Sequence, residues 1–84
     1  MSAVSKSRGS NGVRVFNWGI VGTGRVAQDF SDALRYSDEA RLLAVASRDG
    51  DRANAFAARA GATYSFDSYA RLLELPELDI VYVA

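Results

Sequence analysis

Eighty-four residues, 49% of them hydrophobic and 24% charged, make one small globular domain with a thin core and exclude a multidomain or disordered chain. A net charge of +0 gives no chain-wide pull toward nucleic acid or an anionic membrane, and no apolar run reaches the about 18 residues that a bilayer span needs. With no cysteine and no histidine, disulfides, thiolate nucleophiles, the usual structural zinc sites and histidine acid–base catalysis are excluded within these residues.

Residues 1–12 are Ser- and Gly-rich, with Lys6 and Arg8 as their only charges, and read as a flexible N-terminal tail. They lack the apolar core of a secretory signal, which makes a cytoplasmic location the default expectation. Residues 13–84 alternate strand and helix signals. Val13–Val21 is rich in β-branched and aromatic residues and nearly continuous in apolar character toward its end, as a buried parallel strand is. It runs into Gly22-Thr23-Gly24-Arg25-Val26-Ala27, a G-x-G-x-x-A pattern.

Gly22 suits a tight strand-to-helix turn, Gly24 allows the main chain to approach a pyrophosphate, and Ala27 allows the helix to pack close to the strand. The helix N-terminus then offers free N–H groups and a positive dipole end to an anion. The reading is a dinucleotide site; by spacing alone the pattern is also compatible with a ligand-free turn.

The first helix is predicted over about Arg25–Tyr36, with Val26, Phe30, Ala33 and Leu34 on its apolar face. Ser37-Asp38-Glu39 breaks it, Arg41–Ser47 is the second strand, and Arg48–Asp51 is a turn. Asp49 or Asp51 caps a second helix with Ala53, Phe56, Ala57 and Ala60 on one face, ending at Gly61. Ala62–Ser65 is a short third strand. Asp67 or Ser68 caps a third helix that points Tyr69, Leu72 and Leu73 one way and ends by Pro76, and Leu78–Ala84 is the fourth strand. Such β-α-β-α-β-α-β alternation with short links implies parallel pairing and right-handed crossovers. The expected fold is α/β, a partial Rossmann sheet in order 3-2-1-4, truncated after strand four, with the ligand crevice at the carboxyl ends of strands one and four.

The end of the second strand decides the cofactor, since an acidic side chain there holds both ribose hydroxyls and repels a 2′-phosphate. That place holds Ser47 and Arg48. Ser47 can donate to a phosphate oxygen, and Arg48 can pair with the phosphate and lie along adenine. NADP is favoured over NAD. Asp49, one register on, keeps NAD open, and Arg48 has a plainer reading as a solvated partner of Asp49 or Asp51. Arg52 and Arg25 stand equally between phosphate contact and solvent. Acidic residues interleave with these arginines, so they form no nucleic-acid patch.

Trp18–Ala27, Ala44–Asp49, Arg52-Ala53 with Phe56-Ala57, Asp67–Tyr69 with Leu72-Leu73, and Asp79–Ala84 together resemble the amino-terminal half-domain of the glucose–fructose oxidoreductase and inositol dehydrogenase family, Gfo/Idh/MocA. The opening and the Ala-Ser-Arg-Asp block look like its branch of NADP-dependent dihydrodiol and xylose dehydrogenases. The resemblance spans Arg14 to Ala84. It implies hydride transfer between NADP(H) and a sugar, polyol or diol, with Gly22, Thr23, Gly24, Arg25 and Val26 along the pyrophosphate. It places Ser47 and Arg48 at the 2′-phosphate end and Ala84 where the fourth strand meets the crevice. Family members continue into a Thr-Pro turn, a Glu-Lys-Pro segment with a catalytic lysine, and a substrate domain. Here the single lysine is Lys6, so these residues alone are expected to be inactive.

The leading expectation is therefore the NADP-binding fragment of an oxidoreductase, with a C-terminal substrate domain or a dimer partner to cover strand four. A stand-alone NADPH sensor or regulatory module is the alternative. A methyltransferase is disfavoured because Ser47 stands where that class wants a ribose-binding carboxylate.

Overall fold

The structure, a computed structural model, describes residues 2–5 and 15–84. Its elements are β1 (Ser2–Ser5), β2 (Phe16–Val21), α1 (Arg25–Leu34), β3 (Ala40–Ala46), α2 (Gly50–Ala60), β4 (Tyr64–Phe66), α3 (Tyr69–Leu73) and β5 (Ile80–Val83). The sheet order is β1-β5-β2-β3-β4, and β5-β2-β3-β4 are mutually parallel. This is the predicted 3-2-1-4 arrangement of a doubly wound α/β sheet.

Two apolar clusters hold the layers together. On one face α1 and α2 pack Ala27, Leu34, Ala53, Phe56 and Ala57 against Ile20, Leu42 and Val45. On the other, Leu72 of α3 and Leu78 meet Leu43, Ala44, Ala46 and Val81. Strict alternation would put Leu42 and Ala44 on one face. Instead the β2–β3 register passes from Trp18↔Leu42 to Gly19↔Ala44, leaving Leu43 as an extra residue. That bulge sets Leu43 and Ala44 both on the α3 side.

The predicted helix faces need correction at α1 and α3. The residues of α1 that are buried are Ala27, Ser31 and Leu34, while Val26 and Ala33 are exposed. The helix is rolled so that Ala27, fully buried, lets its backbone lie close on the sheet, and the Ser31 hydroxyl is satisfied by donating to the Gln28 carbonyl. Phe30 then reaches sideways to stack on Tyr82 of β5, with Trp18 edge-on beside it. Because α3 has only five residues, Leu72 alone reaches the core, and Tyr69 and Leu73 remain 43% and 39% exposed. The third strand begins two residues later than predicted, at Tyr64.

The N-terminal end also departs from expectation. Ser2–Ser5, read as part of a flexible tail, runs antiparallel to β5 along its outer edge, pairing Ser2↔Val83 through Ser5↔Ile80. An uncovered β5 would present a row of unpaired N–H and C=O groups, and those groups recruit a strand. Residue 1 and residues 6–14, the rest of the predicted tail and the first two residues of the predicted first strand, lie outside the described residues.

Candidate functional site

Strands β2, β3 and β5 end at one rim of the sheet, and the chain there is pinned from both sides. The Gly22 N–H donates to the Ala46 carbonyl at 2.8 Å, and the Ala84 N–H donates to the Val21 carbonyl at 3.0 Å. Gly22 has φ +111°, a conformation L side chains rarely adopt, and a Cβ there would stand 3.4 Å from the Ala84 Cβ. The turn therefore requires glycine at 22 for its own sake, and it brings Gly22 and Ala84 together.

Gly24 differs. Its φ of −78° suits any residue, and a Cβ built on it would meet no atom of the described residues within 4 Å. Nothing in the fold demands a glycine at this position; it keeps open space beside the backbone. Gly24 is also the N-cap of α1, and among the described residues no side chain caps that helix. By contrast, Asp49 caps α2 through the Asp51 and Arg52 N–H groups, and Ser68 caps α3 through the Arg71 N–H. The first-turn amides of α1 stay uncapped, with the helix dipole behind them.

Two hollows flank this rim on opposite faces of the sheet. One, of about 230 Å³, is lined by Val21, Ala46, Ser47, Arg48, Tyr69 and Val83. The other, of about 240 Å³, is lined by Thr23, Gly24, Arg52, Ala55, Phe56 and Arg59. The structure thus gathers Ser47 and Arg48 in one place and Thr23 and Gly24 in another, with Gly22 and Ala84 between the strands. Arg25 leaves the loop: its side chain, 90% exposed, extends along α1 toward Asp29 at 3.9 Å. Val26 is exposed in the same first turn.

At the end of β3, the Ser47 N–H donates to the Phe66 carbonyl at 3.1 Å, and its hydroxyl accepts the Asp49 N–H at 3.2 Å. The hydroxyl proton remains to be donated elsewhere. Among the described residues Arg48 makes no ion pair; the Asp49 carboxylate instead faces the Arg52 Nε at 3.7 Å. Asp49 Oδ1 already accepts two α2 amides, at 3.0 and 3.3 Å. Sequence reasoning passed over Tyr69 as a core residue. Its usable signal was Ser68: an N-cap there puts Tyr69 in a first helical turn at the carboxyl rim, beside Ser47 and Arg48. Among the described residues no three metal-ligating side chains cluster, and no helix is long and apolar enough to cross a membrane.

A parallel α/β sheet with a positive-φ glycine, an open glycine and an uncapped helix in sequence defines a nucleotide-binding class of fold. Residues 16–84 match the GFO_IDH_MocA family, described as an oxidoreductase family with an NAD-binding Rossmann fold, and the chain belongs to that family. It is 38% identical over 68 residues to trans-1,2-dihydrobenzene-1,2-diol dehydrogenase of Danio rerio, covering 79% of this chain and 20% of that one. Among solved structures it resembles a 3-ketoreductase from Actinomadura kijaniata in complex with TDP-benzene and NADP. The TM-score is 0.78 at 32% identity, over 83% of this chain and 22% of that one. It also resembles myo-inositol dehydrogenase from Lactobacillus casei in complex with NAD(H) and myo-inositol, with TM-score 0.76 at 26% identity, over 83% and 21% of the two chains. The chain spans about a fifth of the length of these relatives.

Proposed function

We infer that these residues are the NADP-binding portion of an oxidoreductase acting on a sugar, polyol or diol. Gly24 carries the reading: an ordinary backbone conformation with open space where a Cβ would stand gives glycine no role in the fold and a clear role under a pyrophosphate. Gly22, Thr23 and Gly24 hold the diphosphate with the uncapped α1 amides, and Arg25 and Val26 contribute their backbone N–H groups rather than their side chains. Ser47 and Arg48 take the adenosine 2′-phosphate, and Ala84 sets the floor beside Gly22. The preference for NADP rests on the serine and the arginine at the end of β3, the latter without an ion pair among the described residues, and on the commitment of Asp49 to capping α2.

When bound, the nicotinamide supplies or accepts a hydride. The substrate class follows from relatives named as a diol dehydrogenase, a 3-ketoreductase and an inositol dehydrogenase, whose names all involve a hydroxyl-bearing or carbonyl carbon. Proton transfer to or from that oxygen needs a group beyond this site, since the chain has no histidine and its one lysine is Lys6. We assign cofactor binding to these residues, and substrate binding and acid–base chemistry to a further domain. A second reading, a non-catalytic NADPH sensor, draws on β1, which pairs along the β5 edge from within the same chain.

The deciding experiment is a calorimetric titration of the chain with NADPH and with NADH. The reading expects tighter binding of NADPH; equal affinities, or a preference for NADH, would overturn the assignment at Ser47 and Arg48.

A further inference from the structure

A ribose-selecting residue belongs at the end of β3, about 20 residues past the glycine loop, and both Ser47 and Asp49 fall there. The structure leaves Asp49 half-used. Its Oδ1 accepts the Asp51 and Arg52 N–H groups at 3.0 and 3.3 Å, which anchors the carboxylate at the start of α2. Its own N–H donates to the Ser47 hydroxyl at 3.2 Å, which ties the residue to the end of β3. Among the described residues Oδ2 accepts no hydrogen bond and faces the Arg52 Nε at 3.7 Å. A carboxylate fixed by one oxygen thus keeps the acceptor capacity of the other.

The pair that holds Oδ2 is loose. The Asp49 and Arg52 side chains are 55% and 75% exposed, so a ligand hydroxyl can compete for the oxygen once the guanidinium is gone. Arg52 also lines the hollow beside Thr23 and Gly24, so it borders both the carboxylate and the space that the glycine loop leaves open. We propose that Asp49 is a latent ribose-binding carboxylate, and that Arg52 sets the choice of cofactor by masking it. The inference rests on the cofactor-binding reading above and adds to Ser47 and Arg48 a determinant of the opposite sign. With Arg52 in place, the Asp49 charge is neutralised beside the site and a 2′-phosphate meets no bare carboxylate. With Arg52 removed, Oδ2 is free to accept from a ribose hydroxyl and repels a 2′-phosphate. An arginine that acted only by touching a phosphate would behave differently: its loss would weaken NADPH and leave NADH alone.

Calorimetric titration with NADH and NADPH tests this on the parent chain, Arg52→Ala and Arg52→Ala/Asp49→Asn. Asparagine caps a helix as well as aspartate, so the start of α2 is kept in the double variant. Arg52→Ala is expected to bind NADH about tenfold more tightly than the parent, the scale of one hydrogen bond to a charged acceptor, and NADPH more weakly. In the double variant the gain for NADH is expected to vanish. Arg52→Met, which keeps the apolar stem along α2, is expected to repeat the gain. Unchanged or weaker NADH binding in both single variants would overturn the masking, and so would a gain that persists in the double variant. A parent chain that binds the two cofactors equally would instead overturn the assignment of Ser47 and Arg48, because the masking is read from NADH alone.

Discussion

Asn17 and Asp79 bond each other twice at the foot of the β2–β5 pair: the Asn17 N–H donates to Asp79 Oδ2 at 2.8 Å, and the Asp79 N–H donates to the Asn17 carbonyl at 2.8 Å. The Asn17 side chain adds a third link to the Glu77 carbonyl at 3.0 Å. Asp79 is 3% exposed, so its carboxylate stands in for a ladder bond that β5 is too short to supply. This clamp decides where β5 begins, and therefore where Ala84 arrives beside Gly22 at the other end.

Asp79→Ala is expected to destabilise the fold by about 1.5–3 kcal/mol, since it strands a half-buried N–H that now meets a charged acceptor. Asp79→Asn keeps an oxygen in reach and should cost less. Urea midpoints of the two variants check the ordering; an alanine variant as stable as the parent would show that water replaces the carboxylate freely.

Gly19 carries a packing demand the motif does not announce. A Cβ there would stand 2.9 Å from Leu78 Cδ1 and 3.2 Å from Leu72 Cδ2. Gly19→Ala asks only for a shift of a flexible leucine end and should be mild. Gly19→Val drives two further methyls into the α3-side cluster and is expected to cost about 1–3 kcal/mol. Thermal unfolding of the two variants separates these outcomes.

The order of the elements was legible because the parallel strands are largely apolar and the segments between them are broken by Ser37-Asp38-Glu39, Gly61 and Pro76. The two helix caps that were named as pairs resolve to Asp49 and Ser68. What escaped depends on tertiary contacts. The roll of α1 is set by the fit of Ala27 to the sheet, and apolar periodicity, which weights Val26 and Phe30 above alanine, mistook it by about one residue. The Leu43 bulge hides in the run Leu42-Leu43-Ala44, where every register looks equally apolar. Tyr69 looked like core because aromatic and leucine residues at helical spacing usually are, and only the shortness of α3 frees it for the rim. Pairing of Ser2–Ser5 with β5 is a non-local contact that small, polar residues do not advertise.

Gly22 and Gly24 should separate folding from binding. Gly22→Ala places a side chain at φ +111° against Ala84 and is expected to cost more than about 1 kcal/mol of stability. Gly24→Val changes stability by about 1 kcal/mol or less, the usual scale for an N-cap replacement, yet is expected to abolish binding of NADPH and NADH alike. Titration of a folded Gly24→Val variant checks this; retained affinity would make the loop a turn and nothing more.

Ser47 and Arg48 stand against one hollow with Tyr69, and Arg48 is the member with a charge to spend on a phosphate. A single charge-assisted contact is worth about 1.5–3 kcal/mol, so Arg48→Ala should weaken NADPH binding by roughly 10- to 150-fold and leave NADH nearly unchanged. The converse substitution, Ser47→Asp, puts a carboxylate where ribose hydroxyls would bond it and a 2′-phosphate would be repelled, and it should invert the preference. The two variants act on one group of the ligand with opposite signs. If both weakened the two cofactors equally, the end of β3 would be holding adenosine by shape alone, and the choice of cofactor would lie with Arg52 and Arg59 in the hollow beside Gly24.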